Sequence, residues 1–472
     1  MPNDDHSDAK PPFMLAQENL QKEERKKACI SFFENLPDAD FNFADFQKNW
    51  NLIEKLDDGH IQLTPAELTT ILTNSIIMLD RLEDQHDEQA RELRKNCLSE
   101  MMFRFRCWEK PAEKKMSGFS QHQLAITLRN FRALSLNPSD KILGTWYSKA
   151  NPRKIMRGGD HETRVVRSLV SLAVAQVKPS EGFKEEWYPK ATRGMPYFRP
   201  SQLGYCFWAF ARFAEEPPQE FLDEWQERFN YLSSKYASHF HQRDIANIIG
   251  GAGVMHAVTG KTIYKEIAEA AKPLISLEDC DLPQQRQLWL AHLWFDWDYD
   301  GKPPEMDDRP SNYENTIKDI FRKHGYETAQ EGRKIRVLNH KPDDNFDING
   351  RTIFCEIDGN KTHFLYEIAE FDGQMRPAGF TGRTLFMAAL AKKFEPDAIT
   401  IRLPFQTCTI FENAEDDQQQ AGILSALMND ASKMRAGAYH ARARRPGDET
   451  DSPLVIRPLK IAELDGQDAS LA

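Results

Sequence analysis

The sequence predicts an α-helical repeat solenoid, built from helix-turn-helix units of about forty residues, followed by a small α/β domain. Three observations support this fold class. A sixteen-residue pattern of apolar positions recurs along the first two thirds of the chain. Copies of the pattern precede aromatic-rich helical stretches, and an acidic strand pair appears near residue 350. Because a helix pair cannot bury its apolar stripe alone, such units must stack against one another.

Composition indicates a soluble protein with two domains and polar ends. The chain has 472 residues, of which 40% are hydrophobic, and a net charge of −11. Its longest apolar stretch, residues 248–258, is too short to span a bilayer, so no membrane association is expected. The first residues are acidic and show no secretory or mitochondrial leader. Seven cysteines without a CxxC pair suggest reduced thiols, and we therefore expect a cytoplasmic protein.

Shifts in composition divide the chain into five predicted segments. Residues 1–30 are polar and charged, which predicts a disordered or polar start that leads into a helix. The solenoid is predicted over residues 31–299. Prolines and acids discourage packing over residues 300–310, which predicts a linker. The α/β domain is expected over residues 311–412, with a helix and a flexible tail over residues 413–472.

Four copies of the sixteen-residue pattern define the predicted solenoid. Each opens with an aromatic residue or leucine, has an aliphatic residue at the sixth position and large apolar residues at the tenth and sixteenth. That spacing is typical of an amphipathic helix entered through a polar cap. The copies begin at Leu63, Phe119, Phe198 and Phe240, with a weaker copy from Asp160.

A tight hairpin is the clearest element of the predicted α/β domain. Asn349-Gly350 separates two β-rich runs, and both turn positions of such a hairpin need positive φ. We therefore predict strands over residues 344–348 and 351–358. Alternate residues of the second strand are apolar, whereas Glu356 and Asp358 share the opposite face. Carboxylates on a sheet face must be solvated, paired or bound to a cation, so this face is a candidate site.

Together these C-terminal elements resemble the RAP domain, the C-terminal module of FAST-kinase-like proteins and of organelle RNA-maturation factors. The resemblance covers roughly residues 311–410. It rests on Glu356-x-Asp358-Gly359, His363-Phe364, Gly382-Arg383-Thr384-Leu385 opening a helix through Lys393, and a final strand over residues 398–404. It implies an α/β fold similar to that of restriction-endonuclease-like nucleases.

In such nucleases a strand aspartate and a Glu-x-Lys pair hold a divalent ion that polarises phosphate and activates water. The resemblance places Asp347 and Glu356 at the metal-holding positions and Asp358 at the position of the lysine. With His363 as a further catalytic candidate, it implies a metal-dependent endoribonuclease that uses Mg²⁺ or Mn²⁺.

The hairpin itself leaves the pairing of these carboxylates open. A two-residue turn pairs Asp347 with Thr352 and leaves Glu356 about 13 Å further along the strand. Asp343 or Asp344 would then lie closer to Glu356, whereas a longer loop would restore the pairing with Asp347. Carboxylates that form salt bridges without a metal are the alternative.

The helical pattern resembles the octotricopeptide repeat, which commonly precedes a RAP domain. The resemblance covers roughly residues 55–295 and is carried above all by residues 198–213, followed by Pro217-Pro218. Such repeats are thought to bind RNA along a superhelical face. The order of the two modules therefore implies a protein that binds single-stranded or structured RNA and needs no cofactor to do so.

The charge distribution supports a polyanionic partner. Residues 101–212 contain 20 lysines and arginines against 8 aspartates and glutamates, a net charge of +12, whereas the rest of the chain sums to −23. Ordinary solvated faces are the alternative for each arginine. The predicted RNA-binding residues are Arg129, Arg132, Arg193, Arg199, Arg212, Arg383, Lys392 and Lys393.

Three functions remain open from the sequence. A non-enzymatic RNA-binding protein is favoured, which grips single-stranded RNA with the helical repeat array and contacts or processes it with the RAP-like domain. The alternative is the metal-dependent endoribonuclease. The third is a repeat scaffold that binds protein partners, for instance a bacterial effector secreted into a host cell.

Overall fold

The computed structural model describes most of the chain, in ranges separated by short gaps. The described residues are 12–36, 43–57, 63–84, 88–103, 105–133, 142, 145–146, 161–299, 301–304, 312–326, 343–358, 363–368, 375–444, 453–459 and 461. They are mostly helical, with a mixed sheet in the C-terminal region. The chain divides into two compact units, residues 1–148 and residues 149–472, and we treat each unit separately.

Unit 1 is helical throughout its described residues. Its helices are α1 (Pro12–Asn35), α2 (Phe43–Asp57), α3 (Pro65–Asp84), α4 (Glu88–Phe103), α5 (Phe105–Lys114) and α6 (Gln121–Ala133). Phe33 of α1 makes edge contacts with Phe46 and Trp50 of α2, and all three rings are buried. Helix α1 corrects the prediction of a disordered start for residues 12–30, whereas residues 1–11 lie outside the described residues.

Unit 2 begins with seven helices. They are α7 (His161–Ala175), α8 (Glu181–Gly194), α9 (Pro200–Phe213), α10 (Gln219–Tyr236), α11 (Gln242–Thr259), α12 (Thr262–Ala271) and α13 (Leu282–Phe295). Short 3-10 turns, Met195–Tyr197 and Ala237–His239, lead into α9 and α11. The apolar positions predicted from the sixteen-residue pattern are buried wherever they are described.

The predicted polar caps are confirmed. At each of these helices the N-cap residue donates its backbone N–H to the polar side chain three residues later. This hydrogen bond satisfies a donor that the helix itself leaves free. Such bonds occur at Thr64/Glu67, Ser120/Gln123, Arg199/Gln202, His241/Asp244 and Asp281/Gln284.

A buried tryptophan bond recurs three times among the helices. The indole Nε1 donates to the backbone oxygen of the residue at the sixth position of the preceding pattern. The pairs are Trp108 with Leu68 (2.7 Å), Trp187 with Val165 (2.8 Å) and Trp225 with Leu203 (3.3 Å). The sequence analysis recognised the aromatic-rich second helices but not this bond.

In the described residues of the sheet region of unit 2 there are four helices and seven strands. They are α14 (Asn312–Lys323), β1 (Asp344–Ile348), β2 (Arg351–Asp358), β3 (Phe364–Ile368), β4 (Met375–Phe380), α15 (Gly382–Phe394), β5 (Ile399–Pro404), α16 (Phe405–Glu412), α17 (Asp417–Lys433), β6 (Gly437–Ala443) and β7 (Leu454–Pro458). The predicted hairpin is confirmed, with Asn349 and Gly350 at φ of 54° and 73°.

Five of the strands form one mixed sheet in the order β1-β2-β5-β6-β7. Strand β5 is parallel to β2 and β6, whereas the edge strands β1 and β7 are antiparallel to their neighbours. Strands β3 and β4 pair separately. Because β6 and β7 complete the sheet, the sheet extends beyond the predicted domain end at residue 412, and β7 lies in the segment predicted to be a flexible tail. Helix α17 lies where a helix was predicted after residue 412.

The two faces of the sheet have different covers. Apolar side chains of one face pack with α14, α16 and α17 in a single core. The other face packs against α15, which also contacts α9 and α11 of the helical region. Phe386 of α15 makes an edge contact with Trp294 of α13 at 5.8 Å. The helical region and the sheet are thus in direct contact, although the predicted linker lies mostly outside the described residues.

Backbone hydrogen bonds also join the helical region to strand β3. The backbone N–H of Tyr366 donates to the Gln176 oxygen at 2.8 Å, and the Lys178 N–H donates to the Tyr366 oxygen at 2.7 Å. Both bonds involve the segment that follows α7.

Gly382, the first residue of α15, lies against the backbone of α9. A Cβ atom at this position would overlap the carbonyl oxygen of Ala211 and lie 2.8 Å from Val254 Cγ1. We expect Gly382→Ala to lower the free energy of unfolding by at least about 1–3 kcal/mol, because backbone atoms cannot move aside as a flexible side chain can. Urea denaturation of the full chain, followed by circular dichroism, measures this change.

Gly422→Ala is the matched control. Gly422 lies within α17, and a Cβ there meets nothing within 4 Å. We expect this variant to be as stable as the wild type or up to about 1 kcal/mol more stable, because alanine favours helix. Equal stability of the two variants would contradict the close approach at Gly382.

Candidate functional site

A row of polar side chains crosses the sheet on the face that α15 covers. Strand register places Glu356 of β2 beside Arg402 of β5, Arg402 beside His440 of β6, and His440 beside Arg457 of β7. Glu356 and Arg402 are buried, and Arg457 is exposed. The sequence analysis correctly placed Glu356 and Asp358 on one face, but it did not identify Arg402 as their partner.

Arg402 forms a buried ion pair with Asp358. Its Nε lies 2.9 Å from Asp358 Oδ2, and its second terminal nitrogen lies 2.5 Å from Oδ1, so two parallel hydrogen bonds join the side chains. Glu356 Oε2 lies 4.0 Å from the same guanidinium. Burial opposes the positive charge, but the carboxylates of Asp358 and Glu356 outweigh burial and raise the pKa of Arg402.

Asp343 adds a third acid to this cluster. Its Oδ2 accepts a hydrogen bond from the backbone N–H of Ile357 at 2.5 Å. Burial, followed by the charges of Glu356 and Glu314, raises the pKa of Asp343 well above the ordinary aspartate value. One arginine therefore faces more carboxyl groups than it can neutralise, and protonation of Asp343 relieves the excess negative charge.

His363 connects the ionic cluster to the start of α15. Its Nδ1 lies 3.0 Å from Asp358 Oδ1 and 3.3 Å from Thr384 Oγ1. The Thr381 N–H donates to the His363 carbonyl oxygen at 2.8 Å. Burial lowers the pKa of His363 despite the opposing charge of Asp358, which favours a neutral imidazole at pH 7. The structure therefore places three of the four predicted catalytic residues, Glu356, Asp358 and His363, close together.

Asp347 does not join them. It pairs with Thr352 in the hairpin register, is exposed, and accepts a hydrogen bond from Thr352 Oγ1 at 3.1 Å. The predicted metal pair of Asp347 and Glu356 is therefore not brought together, and Asp343 lies beside Glu356 as the two-residue turn requires.

The residues present do not suit the implied Mg²⁺ or Mn²⁺ ion. The guanidinium of Arg402 already occupies the space between Asp358 and Glu356, and a divalent cation there would lie against a fixed positive charge. Within the described ranges, no group of three or more His, Cys, Asp or Glu side chains is arranged to hold a metal. We derive no metal-dependent step from this cluster.

The predicted RNA-binding residues have different environments. Arg129, Arg193, Arg199 and Arg383 are exposed, whereas Arg212 and Lys392 are half-buried. The side chain of Arg132 lies outside the described residues. Lys393 already has hydrogen-bond partners within the protein. Its Nζ donates to the carbonyl oxygens of Leu293 (3.1 Å) and Trp294 (2.7 Å) and to Asp296 Oδ1 (2.8 Å) at the end of α13.

Beside two of the exposed arginines lies a group of aromatic and basic side chains that the sequence analysis missed. We call it the tyrosine–cation surface. It consists of Tyr197, Arg199, Arg228, Tyr231, Lys235, Tyr236 and His239. Tyr197 is 71% exposed, Tyr231 42% and Tyr236 41%, and these are three of the five most exposed large apolar side chains among the described residues.

Contacts link five members of the tyrosine–cation surface, and Arg228 also contacts the backbone beside Tyr197 and Arg199. Arg228 Nε donates to the carbonyl oxygen of Phe198 at 2.9 Å, and Phe198 lies between Tyr197 and Arg199 in the chain. Arg228 and Lys235 lie 5.3 Å and 5.1 Å from the ring centroid of Tyr231, within cation–π range.

The aromatic members form a series. The Tyr231 and Tyr236 rings are 6.0 Å apart, and Tyr236 stacks on His239 at 5.3 Å with an interplanar angle of 28°. A sequence signal for this surface exists, because residues 187–214 and 228–243 contain no aspartate or glutamate. Helical periodicity drew attention to core aromatics instead.

Comparison with known proteins adds no relative. No protein-family model matches the chain, and no curated protein matches it. The resemblance to octotricopeptide repeats and to the RAP domain therefore remains a sequence-based prediction. Among the described helices, none is both long and apolar enough to cross a membrane.

Arg402→Met should leave the buried carboxylates of Asp358 and Glu356 without their cation. We expect the free energy of unfolding at pH 7 to fall by about 3–5 kcal/mol, the cost typical of removing one partner from a buried pair. Urea denaturation measures the change. Lys323→Met, which removes the exposed pair with Asp417 (2.5 Å), is the control and should have little effect. A small effect of Arg402→Met would show that the pair is hydrated.

Asp343→Asn should stabilise the protein at high pH. Folding raises the pKa of Asp343, so the folded protein favours the protonated side chain. This stabilisation is complete at pH values below the pKa of aspartate in the unfolded chain, near 4, and is lost as the pH rises through the pKa in the folded protein. Asparagine cannot ionise and keeps this contribution. We therefore expect the variant to exceed the wild type in thermal stability at pH 8 and to match it near pH 4.

Asp347→Asn, at the exposed end of β1, provides the control for this pH comparison. It should follow the wild type throughout the pH range. If Asp343→Asn is less stable than the wild type at pH 8, Asp343 is ionised in the folded protein.

Proposed function

We propose that this chain binds RNA through exposed cationic side chains of its helical region and that the sheet domain serves as a structural partner. In this proposal the helices form a stacked repeat array of the octotricopeptide type and the sheet belongs to a RAP-like domain. The polar caps at five helix starts and the recurring tryptophan–carbonyl bonds support a repeating unit.

Charge segregation on α8 and α9 carries the proposal. Arg193 and Arg199 are exposed and make no ion pair with any other described residue, and they lie in the acid-free stretch of residues 187–214. Lysines nearby behave differently. Lys184 pairs with Glu181 and Glu215, and Lys190 pairs with Glu186. Cations without a carboxylate partner are available to neutralise phosphates, which releases counterions and drives binding.

The buried ionic cluster favours binding over hydrolysis. Asp358 is paired with Arg402, Glu356 lies 4.0 Å from the same guanidinium, and His363 is held by Asp358 and Thr384. These groups stabilise the contact between the sheet and α15. A metal-dependent endoribonuclease would need the same carboxylates for a cation, so we propose a non-enzymatic function.

Salt dependence of binding tests the proposal. We expect the affinity of the full chain for single-stranded RNA, measured by fluorescence anisotropy, to fall linearly on a log–log plot against salt concentration. Arg199→Gln and Arg193→Gln should each reduce the magnitude of the slope by about 0.7 and weaken binding to all sequences alike.

Lys433→Gln is the matched control, because Lys433 is also exposed but lies on α17, which covers the sheet face opposite α15. Its slope should equal that of the wild type. Absence of RNA binding at low salt would refute the proposal and favour a scaffold for protein partners.

A further inference from the structure

We infer that the tyrosine–cation surface is a base-stacking site for single-stranded RNA, in which Tyr197, Tyr231 and Tyr236 contact bases while Arg199 and Lys235 contact the adjoining phosphates. The inference rests on the proposed function, and it adds which residues contact the bases of the RNA and which contact its phosphates. It also assigns a role to side chains that the sequence analysis left out.

Exposure of the three tyrosines is the first argument. Many aromatic rings of the helical region lie in the core instead, and Phe207, Phe210 and Phe221 are at most 2% exposed. Tyr197 has most of its surface open, at 71%. An exposed tyrosine loses apolar contact that the core would provide, and three such residues in one patch indicate a surface that contacts another molecule.

The arrangement of the rings is the second argument. Tyr236 and His239 already form a stacked pair, and Tyr231 adjoins it at 6.0 Å. A base placed on an open ring face extends this series, and every base has a face that can stack. Arg228 donates to the carbonyl oxygen of Phe198 and lies over the Tyr231 ring, so the backbone next to Tyr197 is joined to Tyr231 through one arginine.

Charge identifies the occupant as a polyanion. Residues 228–243 contain Arg228, Lys235 and Arg243 and no acidic residue, although the chain as a whole carries −11. Arg243 lies 5.4 Å from the ring centroid of Tyr205, which places another cation beside an aromatic ring on α9. Aromatic rings alternating with cations match the alternation of bases and phosphates along a nucleic-acid strand.

Single-stranded RNA is the form that such a surface can use. In a duplex the base faces are already stacked within the helix, so exposed tyrosines gain nothing from it. A duplex can still contact the arginines through its phosphates. Stacking therefore predicts that the tyrosines affect single-stranded binding alone, whereas the cations affect both strand forms.

The test uses the full chain and a fluorescently labelled single-stranded RNA of about twelve mixed nucleotides, within the range of known single-strand sites. We expect Tyr231→Ala/Tyr236→Ala to weaken its binding by on the order of tenfold or more. The salt slope should not change, because no phosphate contact is removed. Affinity for the duplex of the same sequence should also stay the same.

Two matched variants separate stacking from other effects of the rings. Tyr231→Phe/Tyr236→Phe keeps both rings and should retain affinity, whereas Tyr231→Leu/Tyr236→Leu keeps apolar area and should lose it. Leu282→Ala removes an exposed apolar side chain of similar exposure, 43%, on α13 and should have no effect. Thermal unfolding of every variant should equal that of the wild type, because the rings are exposed.

Each remaining outcome has a distinct meaning. If the wild type binds RNA and the double alanine variant binds equally well, the stacking site is refuted and the proposed function stands. Equal losses for single-stranded and duplex RNA would also refute stacking. If polyglutamate displaces the RNA as readily as unlabelled RNA does, the surface recognises negative charge alone. If the wild type binds no RNA at low salt, both proposals fail.

Discussion

The structure of unit 2 depends on one constraint, the close contact of α15 with two layers at once. Gly382 brings the start of this helix against the α9 backbone, and Lys393 near its end donates to the last carbonyl oxygens of α13. The opposite side of α15 covers the polar face of the sheet. Because both ends of α15 lie against backbone atoms of the helical region, a shift of the sheet relative to that region would break the Lys393 hydrogen bonds and disturb the close approach at Gly382.

The same helix explains why the acidic strand pair is tolerated in the interior. Thr384 of α15 lies beside His363, His363 lies against Asp358, and Asp358 pairs with Arg402. Every charged group in this sequence of contacts has a partner, which offsets the desolvation that burial imposes. Net stabilisation by such a cluster is small compared with the cost of breaking it, so it specifies the position of α15 more than it strengthens the fold.

Local patterns predicted much of the fold from sequence. Asn349-Gly350 identified the hairpin because positive φ at two successive positions excludes most residues, and the sixteen-residue pattern located helix starts because caps and apolar spacing act locally. The pairing of side chains on neighbouring strands could not be predicted from the sequence. Arg402 is separated from Asp358 by 44 positions, and nothing in a β-rich segment identifies its neighbour. Strands β6 and β7 were missed because charged residues at sheet edges resemble those of a polar tail, and exposed tyrosines look like core aromatics until helix faces are assigned.

The tryptophan–carbonyl bond shows how such helices tolerate insertion. In unit 2 the bonded residues are 22 positions apart, whereas Trp108 and Leu68 are 40 apart, with all of α4 between them. The bond survives the extra helix because it depends only on how two helices pack, and lengthening a connection adds little entropy cost. The contact therefore needs no fixed spacing along the chain, and in all three cases it joins a tryptophan to an aliphatic residue upstream.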